Sequence, residues 1–437
     1  MNKLEVTMTP DLLLLEGVSH LGQRVENDGV TIVATANIMP PENCPSCGCK
    51  PLYKHGSRVY SYADTPLYGK PVRVEIERQR YRCKVCGKVE TPNIPSLDDK
   101  RVATKRLIGL IQSRCFKYTF TALSEETGLV VNTVKSIALD YLEWLDENHE
   151  RETPRIMGLD EVKVGGSYRA VVTNLEMRTV FEMYERRTKQ HMIEFFKNLK
   201  DKERVEWVAL DMWGPFKIVL EQELPNARLV IDRYHVIEKA SRALDQLRIN
   251  IQSQLEKSDR IRLKKGLRWG LLRRNEKRTE ADDEKLELIR QDYPKLALAY
   301  DLAEEFHSIY EIDGRANAEA EFSRWLNSIP PEFMPYFGEV GAMVNRHHQN
   351  IFNYFDFPIT NAYTEAKNGI TKLNNRMGRG YSYEIIRARL LYAKVSSQAG
   401  RVITHTGTPK SITDPVSAWG NAKVSDYGRY ISNFGDD

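Results

Sequence analysis

Three carboxylates in three different settings are the residues of this chain best suited to chemistry. Asp160 ends the apolar run 155–160, Asp211 ends the apolar run 205–211, and Glu365 lies far downstream in a segment with helical spacing. Carboxylate oxygens are the ligands that hard divalent cations prefer, and a pair of such ions activates a water or hydroxyl and stabilises the leaving oxygen of a phosphodiester. We therefore expect these three side chains to form a two-metal site.

The segment around Glu365 predicts a helix with two different faces. Thr360-Asn361 is typical of a helix cap. An apolar stripe follows at helical spacing, and it comprises Ala362, Ala366, Ile370 and Leu373. A second face, at i, i+3, i+7 and i+11, carries Glu365, Asn368, Lys372 and Arg376. This second face would offer a metal ligand, an amide and two cations that clamp a phosphate.

A D-x2-H pair, Asp232 and His235, follows the last predicted strand before a long charged helical stretch. Two functional hypotheses fit it: Asp232 hydrogen-bonds the imidazole, or His235 approaches the scissile phosphate. The alternative is an acid at a strand end and a histidine with ordinary packing partners. The sequence leaves these three interpretations open.

Two C-x2-C pairs, each followed by glycine, predict a metal centre near the N-terminus. The pairs are Cys44/Cys47 and Cys83/Cys86. Four thiolates form a closed tetrahedral site, which suits a structural zinc ion because no position remains for water. Cys49 is a competing ligand with poor spacing. His55 is not needed, and Cys115 is expected to be packed core.

The stretch 120–139 has the rhythm of a helix-turn-helix. Gly128 supplies the turn, and the second helix begins at Val131 or Asn132 with Val134, Ile137 and Ala138 facing inward. The residues expected to face a DNA groove are Asn132, Thr133, Lys135 and Ser136. Other helical hairpins show the same pattern. Its position directly after the basic zinc-binding unit is what favours a DNA-binding helix-turn-helix.

The segments that must position the carboxylates are predicted to form an α/β domain. Between 155 and 232 the pattern predicts a meander of three strands followed by alternating helices and strands, which suits a ribonuclease-H-like domain. The chain is therefore predicted to be multidomain α/β, with an N-terminal strand region and zinc-binding domain (1–98), a helix-turn-helix domain (99–152), the first part of a catalytic core (153–238), an all-helical insertion (239–350), the last part of the core with the Glu-bearing helix (351–400) and a C-terminal tail (401–437).

Composition narrows the class of protein. The chain has 437 residues, and 41% of them are hydrophobic. No apolar run reaches the roughly 18 residues that a membrane span needs, so we expect a soluble intracellular protein. The net charge of +4 is modest, but residues 44–90 hold ten Lys+Arg against four Asp+Glu, and residues 257–278 hold ten against two. Such local basic surfaces attract phosphate backbones, although a solvated charged face is the ordinary alternative.

With these motifs, the chain resembles bacterial insertion-sequence transposases of the DDE type, in particular the ISL-three family. The resemblance runs from the zinc motif to about Leu391 and is most specific in Leu224-Pro-Asn-Ala-Arg-Leu-Val-Ile-Asp-Arg-Tyr-His-Val236. The other stretches that carry it are 44–48, 79–86, 158–162, 209–212 and 360–368. One departure is Ala366, where the family usually has glycine after the glutamate.

The resemblance implies a DNA transposase with Asp160, Asp211 and Glu365 as its DDE triad. It implies two Mg2+ ions, for which Mn2+ can substitute, and double-stranded DNA as partner, both the terminal inverted repeats and the target. A homodimer in the active complex and a cytoplasmic, nucleoid-associated location are also expected. By the same likeness Asp232 and His235 lie near the triad, and the basic residues of the insertion contact DNA, namely Arg268, Arg273 and Arg274.

Two rival functions remain at this stage. One is a zinc-ribbon and helix-turn-helix regulator that is derived from a transposase and binds DNA without cutting it. The other is a metal-dependent nuclease that cleaves DNA but joins nothing. Carboxylates at all three positions argue against a silent core.

Overall fold

The computed structural model describes most of the chain up to residue 393, and its residues fall into two compact units. The described ranges are 13–25, 28–212, 214–272, 278–378 and 380–393, without the side chains of Trp269 and Leu272. Among them, the first unit comprises 13–152, 162–168 and 367–393, and the second comprises 153–161 and 169–366. The predicted last part of the core, 351–400, is thus divided between the units.

A seven-stranded sheet dominates the first unit. Its strands run in the order β1-β2-β4-β3-β7-β6, with β5 paired to β4. They are β1 (Val18–Val25), β2 (Val30–Ala36), β3 (Leu52–Leu67), β4 (Lys70–Cys83), β5 (Val89–Glu90), β6 (Leu97–Asp98) and β7 (Ala103–Thr104). Val72, Val74 and Ile76 are buried while Arg73 and Glu77 are exposed, so β4 has the alternation that the sequence predicts.

Three helices follow this sheet at the places the sequence predicts. They are α1 (Lys105–Arg114), α2 (Phe120–Thr127) and α3 (Val131–Asn148). Thr104 and Thr119 cap α1 and α2 through their hydroxyls, and α2 ends at Gly128 with a φ of 71°. The predicted inward residues Val134, Ile137 and Ala138 are all buried, and Cys115 is 0% exposed in the same core.

A helix from the other end of the chain, Tyr383–Tyr392, packs on these three helices. Its Ile385, Ala388 and Tyr392 belong to the same hydrophobic cluster as α1, α2 and α3. The buried guanidinium of Arg389 donates to the carbonyls of Lys117 and Tyr118 at 2.9 and 2.8 Å. The C-terminal helix therefore completes the core of the first unit.

The second unit is built on a five-stranded sheet in the order β10-β9-β8-β11-β12, apart from residues 162–168 of β8, β9 and their turn, which fall in the first unit. Its strands are β8 (Ile156–Val164), β9 (Ser167–Asn174), β10 (Thr179–Tyr184), β11 (Trp207–Leu210) and β12 (Arg228–Ile231). β11 pairs in parallel with both β8 and β12, and β10 pairs antiparallel with β9. The helices α4 (Lys189–Lys197) and α5 (Gly214–Glu223) connect the later strands.

The largest difference from the predicted strands is at β8. β8 continues to Val164, so Asp160 lies inside the strand instead of at its end. The sequence continues to alternate after Asp160, with Val162 and Val164 buried and Lys163 exposed, and this alternation extends the strand. The prediction took the end of the continuous apolar run as the end of the strand.

Most of the described residues between Arg233 and Gly378 lie in helices, in keeping with the helical stretches predicted over 236–345 and from 361 onward. The helices are α6 (Arg233–Ser253), α7 (Lys257–Ile261), α8 (Arg268–Leu272), α9 (Glu280–Asp292), α10 (Pro294–Ser308), α11 (Arg315–Ser328), α12 (Met334–Arg346), α13 (His348–Asp356) and α14 (Ala362–Gly378). A π-helical turn, Arg262–Leu267, joins α7 to α8, and Tyr383–Tyr392 is α15. In the described part of the chain every helix is too short or too polar to cross a bilayer. The predicted tail, 401–437, lies outside the described residues.

Candidate functional site

The four predicted cysteines come together at the open end of the β3–β4 hairpin. Their sulfurs all lie within 4.8 Å of one another, with 3.7 Å from Cys44 to Cys86 and 3.7 Å from Cys47 to Cys83. A tetrahedral zinc ion with bonds of about 2.3 Å requires sulfurs about 3.8 Å apart. The four side chains therefore fit one zinc ion, and neither Cys49 nor His55 belongs to this set of described ligands.

Each pair of cysteines forms a tight knuckle that depends on the glycine after it. Gly48 and Gly87 have φ angles of 73° and 72°, and their N–H groups donate to the carbonyls of Cys44 and Cys83. Backbone N–H groups of Cys86 and Val85 lower the pKa of Cys83 to about 7. Although a backbone contact at Cys49 lowers it, burial and the neighbouring sulfurs raise the pKa of Cys47 to about 12. Four thiolates at this spacing therefore need a cation.

Three aspartates lie side by side across the second unit's sheet. Leu159 pairs with Leu210, and Leu210 pairs with Ile231. The next residues along these parallel strands are Asp160, Asp211 and Asp232, and the N–H of Asp232 donates to the carbonyl of Leu210 at 2.9 Å. Because neighbouring strands are about 4.8 Å apart, the three residues form a row at one level of the sheet.

Glu365, in the first turn of α14, is close to this row. Burial is the largest cause that raises the pKa of Glu365 to about 7, and the negative charges of Asp232, Asp160 and Glu238 add to it, while His235 opposes it. The Nε2 atom of His235 lies 3.6 Å from Oε1 of Glu365. This concentration of carboxylates in a half-buried place favours a bound cation.

The three predicted acids do not surround one point. Among the described residues, oxygens of Asp160, Asp211 and Glu365 do not all lie within 4.8 Å of one another, whereas the four cysteine sulfurs do. The row of aspartates and the glutamate are therefore spread over more than one ion's coordination shell.

Hydrogen bonds to β8, β9 and the end of β12 hold the start of α14. The N–H of Asn361 donates to Oδ2 of Asp232 at 2.5 Å, and its Nδ2 donates to the carbonyl of Leu159 at 2.9 Å. The hydroxyls of Thr173 and Thr364 are 2.7 Å apart. All these side chains are buried, so the position of Glu365 one turn into α14 is defined by contacts with β8, β9 and the end of β12.

A glycine permits this close approach of helix and strand. A Cβ atom on Gly158, in β8, would lie 2.4 Å from Oγ1 of Thr364, 2.5 Å from Oγ1 of Thr173 and 2.7 Å from Oδ1 of Asn361. Each distance is below what real Cβ atoms show, so a larger residue would displace the start of α14. Gly158 is two residues before Asp160 in β8, so a displacement at Gly158 would also affect the Asp160 end of the row of aspartates.

In the D-x2-H pair, Asp232 bonds to backbone N–H groups, which differs from the hypothesis that it bonds to the imidazole of His235. Asp232 is 2% exposed, and its carboxylate accepts the N–H of Tyr234, which caps α6, and the N–H of Asn361. Nε2 of His235 is buried and has no hydrogen-bond partner among the described residues. Asp232 therefore joins two helix starts, and His235 faces Glu365.

The predicted apolar stripe of α14 does not pack into a core. Ile370 and Leu373 are 47% and 55% exposed. The buried stripe is polar instead, and it comprises Asn361, Thr364, Asn368 and Thr371. At its start the helix faces carbonyl and hydroxyl groups of the sheet, so hydrogen-bonding side chains are favoured there. Lys372 and Arg376 are exposed, as a phosphate clamp requires.

Glu238 is a further acid near Glu365 that no sequence motif indicated. This residue lies one turn after His235 in α6 and is among the charges that raise the pKa of Glu365. The i, i+3 spacing from the histidine is a signal that could have identified it, because such residues share one face of a helix.

The predicted DNA-binding residues have different surroundings. On α3, Asn132 and Lys135 are exposed while Thr133 and Ser136 are half-buried. The Nη2 atom of Arg268 lies 3.9 Å from Oδ2 of Asp245. Arg273 and Arg274 lie outside the described residues, as does the side chain of Trp269.

Comparisons with known proteins agree with the motifs. The family model for DDE transposases of the ISL3 type, described as transposase, matches residues 157–390. A second model, described as the zinc-finger of transposase IS204/IS1001/IS1096/IS1165, matches residues 40–86.

Two named relatives are similar to this chain over most of its length. The transposase for insertion sequence element IS1001 of Bordetella parapertussis is 23% identical over 345 residues, which is 77% of this chain and 85% of the relative. The transposase for insertion sequence element IS1557 of Mycobacterium tuberculosis is 23% identical over 379 residues, 78% of this chain and 74% of the relative. Because the first family model covers more than half of the sequence, this chain belongs to the ISL3 family of insertion-sequence transposases and carries that family's zinc ribbon.

Proposed function

We propose that this protein binds the terminal inverted repeats of an insertion sequence and catalyses Mg2+-dependent DNA cleavage and strand transfer. The observation that carries the proposal is the row of aspartates on adjacent parallel strands with Glu365 beside it. Asp160, Asp211 and Glu365 are the assigned catalytic residues. The sheet order β10-β9-β8-β11-β12, three meander strands followed by two parallel ones, supports the ribonuclease-H-like architecture predicted for this domain.

The residues of this site fit a pair of hard cations. All the donors are carboxylates, and burial together with the charges of the neighbouring acids raises the pKa of Glu365, so a cation would stabilise its charged form. Asp160 and Asp211, which follow paired positions of neighbouring strands, would hold the two ions, and Glu365 would complete one of the two sites. When bound, two Mg2+ ions supply a nucleophilic oxygen and neutralise charge on the leaving oxygen. Mn2+, with the same preference for oxygen, is expected to substitute.

Residues around the carboxylates have supporting roles in this proposal. Asp232 positions α14 through Asn361, and His235 is near enough to Glu365 to influence its charge. Lys372 and Arg376 follow Glu365 at helical spacing on α14 and are exposed, so we assign them to the DNA backbone.

The DNA-binding part of the proposal rests on the first unit. The zinc ribbon and α3 are assigned to the terminal repeats, with Asn132, Thr133, Lys135 and Ser136 on the face that would enter a groove. Arg268, Arg273 and Arg274 of the helical insertion are assigned to the DNA backbone. Because the two ends of an element are processed together, a homodimer in the cytoplasm, on nucleoid DNA, is the expected active form.

A supercoiled plasmid that carries both ends of the element encoding this chain tests the proposal. With Mg2+ we expect cleavage at the ends and joined products, and no products when Asp160→Asn or Asp211→Asn replaces the wild type. Glu203→Gln, an exposed acid outside the site, is the matched control and should retain activity. Nicks without joining would identify a nuclease. Binding without cleavage would identify a regulator and contradict the catalytic assignment.

A further inference from the structure

The tip of the β3–β4 hairpin exposes a large aromatic ring in an unfavourable backbone conformation. Leu67 pairs with Lys70, so Tyr68 and Gly69 alone form the turn, with φ angles of 52° and 75°. Two-residue turns of this kind favour Asn-Gly, since most residues avoid a positive φ. Tyr68 is 93% exposed, so its ring contributes no buried area to the fold. Neither the turn nor the core explains a tyrosine here.

The strand that leads to this tip is fixed to the helices. Asp64 in β3 is 1% exposed and accepts hydrogen bonds from Oγ1 of Thr104 at 2.6 Å and Nε of Arg106 at 2.7 Å. Thr104 caps α1, and Ala63 lies in the hydrophobic cluster of α1, α2 and α3. The tip, defined as residues 67–70, therefore projects from a rigid support instead of a mobile loop.

The same hairpin touches the turn between α2 and α3. A Cβ atom on Gly128 would lie 3.1 Å from Cβ of Pro71, so these two residues are in contact. Gly128 ends α2, and α3 begins three residues later at Val131. Pro71 is likewise three residues from Tyr68. The tip and the start of α3 therefore lie on the same side of the first unit.

We propose that the tip is a second DNA contact, which enters a groove beside the one that α3 enters. The inference rests on the proposed DNA-binding function of α3 and deepens it. Lys70 and Arg73 near the tip and Lys135 on α3 bring positive charge to this side, which suits a phosphate backbone. An exposed ring held on a rigid hairpin gives apolar contact with sugars or base edges in a groove.

Tyr68→Asn tests this inference without harming the fold, because Asn-Gly is the preferred sequence of such a turn. The probe is a fluorescent duplex of about 50 base pairs from one end of the element, and a scrambled duplex of the same composition is the comparison. We expect Tyr68→Asn to lower the affinity for the end duplex about tenfold, as expected when one partly buried ring is lost from an interface. The slope of affinity against salt should stay unchanged, because the ring displaces no counterions.

A matched aromatic serves as control. Trp144 is 55% exposed and lies thirteen residues after the start of α3, so Trp144→Asn should leave end binding within twofold of the wild type. The midpoint of thermal unfolding of Tyr68→Asn should equal or exceed that of the wild type.

Several results would overturn the inference. Equal affinity of Tyr68→Asn and wild type for the end duplex would do so, and so would a change confined to self-association in sedimentation, which would assign the tip to a second copy of the chain. If the wild type itself did not prefer the end duplex to the scrambled one, the proposed function would fail together with this inference. End binding and cleavage by the wild type, with no effect of Tyr68→Asn, would remove the tip contact alone.

Discussion

Asp232 and Asn361 are joined by a hydrogen bond of 2.5 Å, from the backbone N–H of Asn361 to Oδ2 of Asp232. This bond links the end of β12 to the residue directly before α14. The carbonyl of Asn361 in turn accepts the N–H of Glu365 at 3.0 Å. The row of aspartates and the glutamate that completes the candidate site are therefore parts of one hydrogen-bonded structure.

Asp232→Asn should weaken catalysis more than its effect on stability explains. Asparagine still caps α6, but the bond to Asn361 loses its charge, or is lost where the amide nitrogen faces that N–H. We expect a loss of about 1–3 kcal/mol in the free energy of unfolding. We also expect slower cleavage of end DNA and a higher Mg2+ requirement, measured in a titration of cleavage rate.

A buried aspartate outside the site provides the control for this change. Asp282 is 1% exposed and accepts hydrogen bonds from Thr279 at the start of α9. Asp282→Asn should lower stability to a similar degree and leave the Mg2+ requirement unchanged. Equal Mg2+ requirements in the two variants would show that Asp232 has no positioning role.

Gly158→Ala should displace the start of α14. The added methyl group would meet three oxygens at 2.4–2.7 Å, so we expect a loss of about 1–3 kcal/mol in urea unfolding and a fall in cleavage rate. Gly109→Ala is the matched control, because nothing lies within 4 Å of its Cβ position inside α1. That change should stabilise the protein by about 0.5–1 kcal/mol. Unchanged stability of Gly158→Ala would refute the close approach of β8 and α14.

Much of this arrangement could be predicted from local patterns in the sequence. The two C-x2-C pairs with their glycines predict the zinc knuckles because the two cysteines of each knuckle are close together in the sequence. Asp211 and Asp232 directly follow apolar strands, so their place at the end of the sheet is readable from the chain. Hydrophobic content alone predicts a β8 that ends at Asp160, whereas the alternation of buried and exposed residues continues to Val164.

Other features depend on contacts between residues far apart in the chain. The buried stripe of α14 is polar because Thr364 meets Thr173 and Asn361 meets Leu159, and hydrophobic periodicity carries no information about such partners. The packing of α15 on α1, α2 and α3 joins residues more than 240 positions apart through Tyr392 and Asp146. Local propensity could predict that helix but not its place.

Zinc removal should disrupt the open end of the β3–β4 hairpin, where the four cysteines lie. Cys83→Ser removes one of the four thiolates, so we expect zinc content well below one ion per chain and a lower midpoint of thermal unfolding. Cys49→Ser is the matched control and should keep one zinc ion, because Cys49 is outside the ligand set. Full zinc content in Cys83→Ser, or loss of zinc in Cys49→Ser, would refute the assigned ligands. Zinc is measured by elemental analysis after dialysis.

The contact of α15 with α3 should weaken in acid. Burial raises the pKa of Asp146, but hydrogen bonds from Arg387 and Tyr392 and the charge of Arg151 outweigh it, so the pKa is lowered. A lowered pKa stabilises the fold above about pH 3.9, the unfolded value, and this stabilisation is lost as the pH falls through the folded pKa. The stability difference between wild type and Asp146→Asn should be constant from pH 7 to 5 and shrink below about pH 4.

Urea unfolding at a series of pH values measures this difference. Arg387→Gln should show the same trend, and the double variant should lose less than the sum of the two single changes, since both remove one contact at 2.7 Å. A difference that grows as the pH falls below 4 would contradict the sign of the shift.

Anomalous scattering from Mn2+ in crystals of the protein with end DNA tests the central claim most directly. We expect two Mn2+ peaks about 2.1 Å from oxygens of Asp160 or Asp211, one of which also contacts Glu365. Both peaks should disappear in Asp160→Asn crystals grown in the same way. Peaks that touch no two of these three residues, or a site that stays empty while Mn2+ supports cleavage, would contradict it.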